Sequence, residues 1–535
     1  MLSGCVPWPQ EFAERYRAAG YWRGEVLGDL LRPWAARDPE RVAVVAAGRR
    51  YSYVELDTWA DRLAAGLHEL GLRAGDRVVV QLPNSPEFVV VSVALFRLGA
   101  LPVYALPAHR RSEITYLCEH TGAAAYVVPG APGGFDYRAL AREVRAAVPG
   151  LAHVLVDTDL PDLLAAPREL PRPDPSEAAF FLLSGGTTGQ PKLIPRTHDD
   201  YVFQIRATAR EIGFDERGAY LAALPVAHNA ALGCPGLLGA LWAGGKAVLA
   251  ASPSPDEVFP LIAAEGVTLT TLMPAFLPLW MELYELFDVD LSGLVIEVGG
   301  APLDPAVARR VDATLGCTLT RWFGMAEGLL VFTRRDEPAE VRAATEGRPL
   351  CAGDELRVVD EQDRPVPPGE VGELLARGPC VLRGYYRAAE YNARVFTADG
   401  FLRTGDLVRL TPEGRLVVAG RVRDVINRGG EKVAPEEIEG HLLAHPGVRE
   451  VAVLGLPDRV LGEKTCAVVV PREGAEPTLS SVKELLTARG VAGYKLPDRL
   501  AVVDSLPRTS LGKVDRRALR EVLLTQPRRA ARSVR

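Results

Sequence analysis

With 535 residues, 48% of them hydrophobic, the chain exceeds what one compact core needs, so two or more domains are expected. A formal net charge of −6 removes any whole-molecule electrostatic case for nucleic acid or membrane binding, and Arg528, Arg529, Arg532 and Arg535 make only a short solvated basic tail. Seven scattered cysteines without a C-x-x-C pair argue against a disulfide framework or a zinc site and fit a reducing, cytoplasmic setting.

In chain order, Asp57 to Leu70 places Ala60, Leu63, Ala64 and Leu67 on one helical face, with Gly71 as the stop. Arg77 to Leu82 reads as a buried strand, Pro86 to Leu98 as a helix and Pro102 to Ala105 as the next strand. The longest apolar stretch, Phe88 to Phe96, ends at Arg97 and is too short to cross a bilayer. This βαβ rhythm predicts α/β architecture with parallel sheets covered by helices. After about residue 350, Glu355 to Val359, Gly372 to Ala376 and Arg415 to Ala419 are short strands between Pro/Gly turns, a small β-rich subdomain over about 350–420. From Ile438 the pattern is again mixed α+β. The main boundary is expected near Arg423, giving domains over 1–422 and 423–535.

Ser184 to Lys192 (SGGTTGQPK) follows the apolar strand Ala178 to Leu183. Ser184, Gly185, Gly186, Thr187, Thr188, Gly189 and Lys192 supply what phosphate oxygens need: close backbone approach, N–H groups, hydroxyls and a compact cation. Gln190 and Pro191 rule out a Walker A loop. Lysine is scarce, seven of the 62 basic residues, and Lys192, Lys432 and Lys513 all fall in polar motifs.

The nonapeptide resembles the signature loop of the adenylate-forming superfamily of acyl-CoA synthetases, luciferases and peptide-synthetase adenylation domains, and the likeness runs in order from Tyr51 to Arg517. It implies a large N-terminal adenylation domain, a small mobile C-terminal domain, and ATP and Mg²⁺ as cofactors. In EVGGAP, Gly299, Gly300 and Ala301 would lie along adenine. In WFGMAE, Trp322, Phe323, Gly324, Met325 and Ala326 would belong to the nucleotide site, with Phe323 stacking on adenine and Glu327 holding Mg²⁺. Asp406 of TGDL and Arg421 would clamp the ribose. Lys513 matches the catalytic lysine of adenylation, Arg423 the interdomain hinge, and Gly430 and Lys432 of GEKVAP the face used for thioester formation.

LPVAHNAALGCPG (Leu224 to Gly236) and LPAHRRSEI (Leu106 to Ile114) are similar to the stand-alone aryl-acid ligases that load 2,3-dihydroxybenzoate or salicylate in siderophore and nonribosomal peptide synthesis. The likeness implies an aryl pocket of His228, Asn229, Ala230, Cys234, Gly300, Ala326 and Leu330, with His228 set beside Lys513 among the catalytic residues and Asn229 donating towards the acid. It also implies a phosphopantetheinylated carrier protein, acting in trans, as acceptor. Cys234 and Leu330 are poor partners for a 3-hydroxyl and point to a salicylate-like 2-hydroxyaryl acid. Ala230, where relatives have Tyr or Phe, and Gly233 would leave room for a methylated or bicyclic acid such as 3-hydroxyquinaldate. The alternatives are an aryl-CoA ligase, a dihydroxybenzoate substrate, and a silent binding homologue.

Overall fold

The computed structural model describes residues 1–130, 134–184, 191–301, 303, 305–421, 425–507 and 514–525, with the side chains of 421, 436, 517 and 525 excepted. Gly185, Gly186, Thr187, Thr188 and Gly189 of the phosphate loop, the hinge residue Arg423 and Lys513 lie outside the described residues.

The chain divides into two compact units. The first holds Met1–Pro107, Leu117–Ser184 and Leu193–Gly420; the second takes Ala108–Tyr116, Lys192 and the described residues from Arg421 on.

Two largely parallel sheets build the first unit. One has six strands in the order His153–Val156, Ala125–Val128, Arg77–Val80, Leu101–Tyr104, Ala178–Leu183, Leu193–Thr197, antiparallel only at the last pair. The other has nine, running Arg348–Pro349, Leu330–Phe332, Thr318–Gly324, Val295–Gly299, Leu269–Leu272, Ala219–Ala222, Lys246–Leu249, Val42–Ala46, Arg49–Ser52. Its middle pairings are parallel and its edge pairings antiparallel. Both are covered by helices, as the alternation of apolar runs required. The helix Pro86–Leu98 is buried at every position but Glu87, which explains why its sequence is apolar all round. Ser85 caps its start and Gly99, at φ +72°, ends it.

The expected helix from Asp57 starts earlier, at Tyr53, because Ser52 and Glu55 form a capping box; Ala60, Leu63, Ala64 and Leu67 are all buried on it. The strands around residues 355 and 372 fall as read, at Glu355–Val359 and Gly372–Arg377, and join Leu402–Leu410 and Leu416–Arg421 in a four-stranded sheet.

The second unit carries a five-stranded sheet dominated by the long antiparallel pair Val448–Asp458 and Gly462–Pro471. Helices Pro435–Leu442 and Leu479–Ala488 pack Ile438, Leu442, Val482 and Leu486 on it, while Leu519 and Leu523 of Arg516–Thr525 join the cluster holding Leu454, Cys466 and Val468. The two large sheets make the first unit α/β, with the four-stranded sheet added to it, and the second unit is α+β. Among the described residues no helix is long and apolar enough to cross a membrane.

Candidate active site

Pleating decides which residues of the aromatic motif meet which environment. On the strand Thr318–Gly324, Trp322 and Gly324 face one way and Phe323 the other. Their antiparallel partners are Phe332 for Trp322, Val331 for Phe323 and Leu330 for Gly324. Trp322, Leu330 and Phe332 therefore share a face, and they pack with Ala230, Cys234 and Leu350 in one buried apolar cluster. Trp322, read from the sequence as a nucleotide-site residue, belongs to this cluster. Phe323 is partly buried on the other side. So the structure brings together Ala230, Cys234 and Leu330 of the expected aryl pocket and adds Phe332 and Leu350, which no motif marked.

Polar groups ring the cluster. His228 precedes the short helix Asn229–Gly233, and its Nδ1 accepts from the Ala230 N–H at 3.3 Å. Asn229 accepts from the Tyr201 hydroxyl at 2.9 Å and turns its amide N–H towards Cys234 Sγ at 3.7 Å. Gln204 donates to the Gly233 carbonyl at 2.8 Å. Burial, with Glu297 adding to it, raises the Cys234 thiol pKa, so Cys234 is a neutral, weakly bonding wall.

Gly233 corrects the sequence reading. A Cβ there would collide with the Tyr201 phenol, so the missing side chain is replaced by a neighbour's ring and opens no room for substrate. Space near Ala230 is a separate matter, because Ala230 faces the apolar cluster.

Arg196 holds two walls of this region. It is wholly buried; its guanidinium bonds Asp200 at 2.8 Å, Gln204 at 2.9 Å and the Ala326 carbonyl at 3.2 Å, and stacks over Tyr201 at 4.7 Å. Asp200 in turn accepts from the Thr197 N–H and hydroxyl, which caps the helix His198–Ile212. Arg196→Met removes the charge and strands Asp200 in a dry interior. We expect it to lower unfolding free energy by about 3–5 kcal/mol, seen as a lower urea midpoint at unchanged slope. A loss under 1 kcal/mol would contradict that account.

The remaining motif residues are placed by backbone packing. Gly299 has no room for a Cβ, since the Trp322 carbonyl and indole lie against it; Gly300 follows at φ +76°, and Ala301 is partly buried. Glu327 is partly exposed, its carboxylate accepting from the Tyr385 hydroxyl at 2.8 Å and its carbonyl from the Leu382 N–H at 2.8 Å. Asp406 is buried on Leu402–Leu410, its N–H bonded to Thr404 Oγ1 at 3.1 Å. Arg421 ends the strand Leu416–Arg421. Ser184 and Lys192, on either side of the phosphate loop, are partly buried; the Met325 N–H donates to the Leu329 carbonyl at 3.1 Å, and the Met325 carbonyl accepts from the Gly328 N–H at 2.9 Å. In the second unit, Gly430 takes φ +98° in the tight turn before Glu431–Val433, the strand that carries Lys432. Among the described residues no group of three or more His, Cys, Asp or Glu could hold a metal by itself.

Sequence reasoning missed Arg196, Tyr201 and Gln204. Their signal was present: Thr197 and Asp200 form a capping box, Asp200 and Gln204 stand four residues apart on the helix it opens, and Arg196 lies on the preceding strand just before the cap.

Comparison with known proteins places this geometry. The AMP-binding enzyme family matches residues 31–386, and the AMP-binding enzyme C-terminal domain matches 437–513. The chain is 55% identical to triostin synthetase I of Streptomyces triostinicus, over 99% of this chain and 100% of that one. It is 53% identical to the 2,3-dihydroxybenzoate-AMP ligase of Bacillus subtilis (98% of each) and 48% to the salicyl-AMP ligase / salicyl-S-ArCP synthetase of Mycobacterium tuberculosis (97% and 94%). Among solved structures it is similar to apo MbtA of Mycobacterium smegmatis, at 46% identity and a TM-score of 0.75 over 97% of this chain and 99% of that one.

Proposed function

Because the chain belongs to the AMP-binding enzyme family and is an adenylate-forming ligase that uses ATP, we propose that it activates a 2-hydroxyaryl carboxylate as its acyl-AMP and passes the acyl group to the phosphopantetheine thiol of a carrier protein in nonribosomal peptide or siderophore synthesis. The observation that carries this reading is the buried apolar cluster of Ala230, Cys234, Trp322, Leu330 and Phe332 beside Asn229, with few polar groups around it. Similarity to a salicyl-AMP and to a dihydroxybenzoate-AMP ligase supports the acid class, and the name of one relative, salicyl-S-ArCP synthetase, supports the carrier.

The roles follow from the chemistry of the donors. The acid's carboxylate attacks the α-phosphorus and pyrophosphate leaves; a thiol then attacks the acyl carbonyl and AMP leaves. Ser184 to Lys192 takes the phosphates, Gly299 to Ala301 the adenine edge, Phe323 its face, and Asp406 with Arg421 the ribose. His228, Asn229, Ala230, Cys234, Gly300, Ala326 and Leu330 take the aryl acid. Glu327 suits Mg²⁺, since this cation needs only one or two protein carboxylates when phosphates supply other oxygens, and Tyr385 holds the carboxylate in place. When bound, the ion would offset phosphate charge. Lys513 supplies a cation for adenylation, the region beyond Arg423 forms the mobile domain, and Gly430 and Lys432 serve the thiol step.

Acid-dependent ATP–pyrophosphate exchange across salicylate, 2,3-dihydroxybenzoate, methylated salicylates, a hydroxyquinaldate and an aliphatic acid tests the substrate class. Exchange should need a 2-hydroxyaryl acid. It should run about ten- to a hundredfold lower in kcat/KM with 2,3-dihydroxybenzoate than with an acid lacking the 3-hydroxyl, because Cys234 and Leu330 leave that hydroxyl unpartnered. Equal exchange with the aliphatic acid would overturn the reading. In the second half-reaction a phosphopantetheinylated aryl-carrier protein should outrun free coenzyme A; comparable efficiency would make the enzyme an aryl-CoA ligase.

A further inference from the structure

Behind the apolar cluster lies a polar group that neither half-reaction uses. Glu297, on the strand Val295–Gly299, is in register with Thr271 on one neighbouring strand and Thr320 on the other. Residues in register share a face, and alternate residues along a strand do too, so Thr271, Glu297, Thr320 and Trp322 all line one side of the nine-stranded sheet. That is the side on which Trp322 meets Ala230, Cys234, Leu330 and Phe332. Glu297 is fully buried there, and among the described residues no cation bonds it.

One of its oxygens is accounted for. The Tyr220 hydroxyl donates to Thr271 Oγ1 at 3.4 Å, and Thr271 donates to Glu297 Oε2 at 3.4 Å. The other, Oε1, has no protein partner among the described residues, and neither do Thr320 Oγ1 and Trp322 Nε1. Three buried, unpartnered polar atoms on one sheet face depart from the general rule that such groups are bonded, and a ligand pocket is where that departure has a use. Burial holds the Glu297 carboxyl far above the usual carboxylate range, with only Thr271 opposing, so the group is neutral and carries a proton it can donate. A charge on Glu297 would raise the Cys234 thiol, so the two side chains lie near each other on this face.

We propose that Glu297 reads the acid's ring system: its Oε1–H donates to an acceptor that bears no proton of its own, a ring nitrogen or an ether oxygen, on the edge of the substrate next to Cys234. Cys234 cannot do this itself, because a thiol is a weak donor. This rests on the aryl-acid reading above and narrows it to acids that carry such an acceptor beyond the 2-hydroxyl.

The test is pyrophosphate exchange with three bicyclic acids of matched size: a hydroxynaphthoate without a further acceptor, a hydroxyquinaldate with a ring nitrogen, and a methoxy-hydroxynaphthoate with a ring-borne oxygen. The native enzyme should favour at least one acceptor-bearing acid over the plain naphthoate by about tenfold or more in kcat/KM, and which one it favours tells nitrogen from oxygen. Glu297→Leu should cut that acid by about ten- to a hundredfold and leave the plain naphthoate within twofold, whereas Glu297→Gln, which keeps an N–H donor, should retain most of the preference. A native enzyme that treats all three acids alike overturns the proposal without recourse to any variant. So does an equal loss for all three acids in Glu297→Leu, which would mark a purely structural residue. If the native enzyme activates no aryl acid at all, salicylate included, the aryl-acid reading itself falls and takes this proposal with it.

Discussion

Lys513→Ala should lower acyl-AMP formation by about 100- to 1,000-fold in the pyrophosphate-exchange assay, the loss typical of deleting one fixed charge-stabilising donor. Attack of a carboxylate on the α-phosphorus brings two anions together, and a compact ammonium between them lowers the barrier by electrostatics alone. Transfer from preformed acyl-AMP to a thiol makes no such demand, since the acyl carbonyl is uncharged and AMP leaves with its phosphate intact. The same variant, given synthetic acyl-AMP and a phosphopantetheinylated carrier, should thus keep most of its thioester-forming rate. Equal losses in the two half-reactions would show that Lys513 does not serve adenylation specifically. Lys513→Arg is a useful companion, because the larger planar guanidinium keeps the charge and changes its position.

Ala230→Tyr should divide the acids by size. Ala230 is buried in the cluster with Cys234, Trp322, Leu330 and Phe332, and a phenol placed there occupies whatever volume a second ring or a ring methyl would take. Overpacking of this kind costs about 1–3 kcal/mol when the volume is needed, so bicyclic and methylated acids should lose about ten- to a hundredfold in kcat/KM. Salicylate should be unchanged or improved. With Gly233 already filled by the Tyr201 ring, Ala230 is the position on this helix where the argument for a larger acid rests. An equal loss for salicylate would mean that the substrate ring does not extend towards Ala230.

Elements bounded by strong local chemistry were legible to the residue. The helix Pro86–Leu98 and the strands Ala178–Leu183 and Glu355–Val359 have the limits their sequences suggest, since Ser85 and Pro86 open the first and Gly99 closes it, and turn residues bracket the last. The start of the helix at Tyr53 was misjudged because apolar spacing was given more weight than the Ser52–Glu55 capping box. The proposed nucleotide motifs stand out in the sequence because phosphate and adenine call for glycine, hydroxyl and aromatic groups in a fixed order. The walls of the proposed acid pocket could be read only in part. Phe332 and Leu350 are ordinary apolar residues until antiparallel pairing sets them opposite Trp322 and Leu330. Glu297 was visible as the first letter of a motif, yet its burial and its unpartnered oxygen arise from neighbouring strands far away in sequence. Gly233 shows the reverse limit: a sequence reveals that a side chain is missing and is silent about which neighbour takes its place.

On the proposed site assignment, Arg196 links the binding of acid and nucleotide thermodynamically. One rigid guanidinium bonds Gln204, which bonds the Gly233 carbonyl of the acid wall, and also bonds the Ala326 carbonyl of the WFGMAE segment. In an interior packed as tightly as this one, such a cross-piece transmits small displacements and does not absorb them. Any preference of the acid for one setting of its wall therefore enters the free energy with which the WFGMAE segment meets its own ligand, and linkage makes the effect equal in both directions. On that assignment ATP bound alongside an acid of the right shape would be favoured over ATP bound alone, a form of selectivity that no residue touching the acid has to supply.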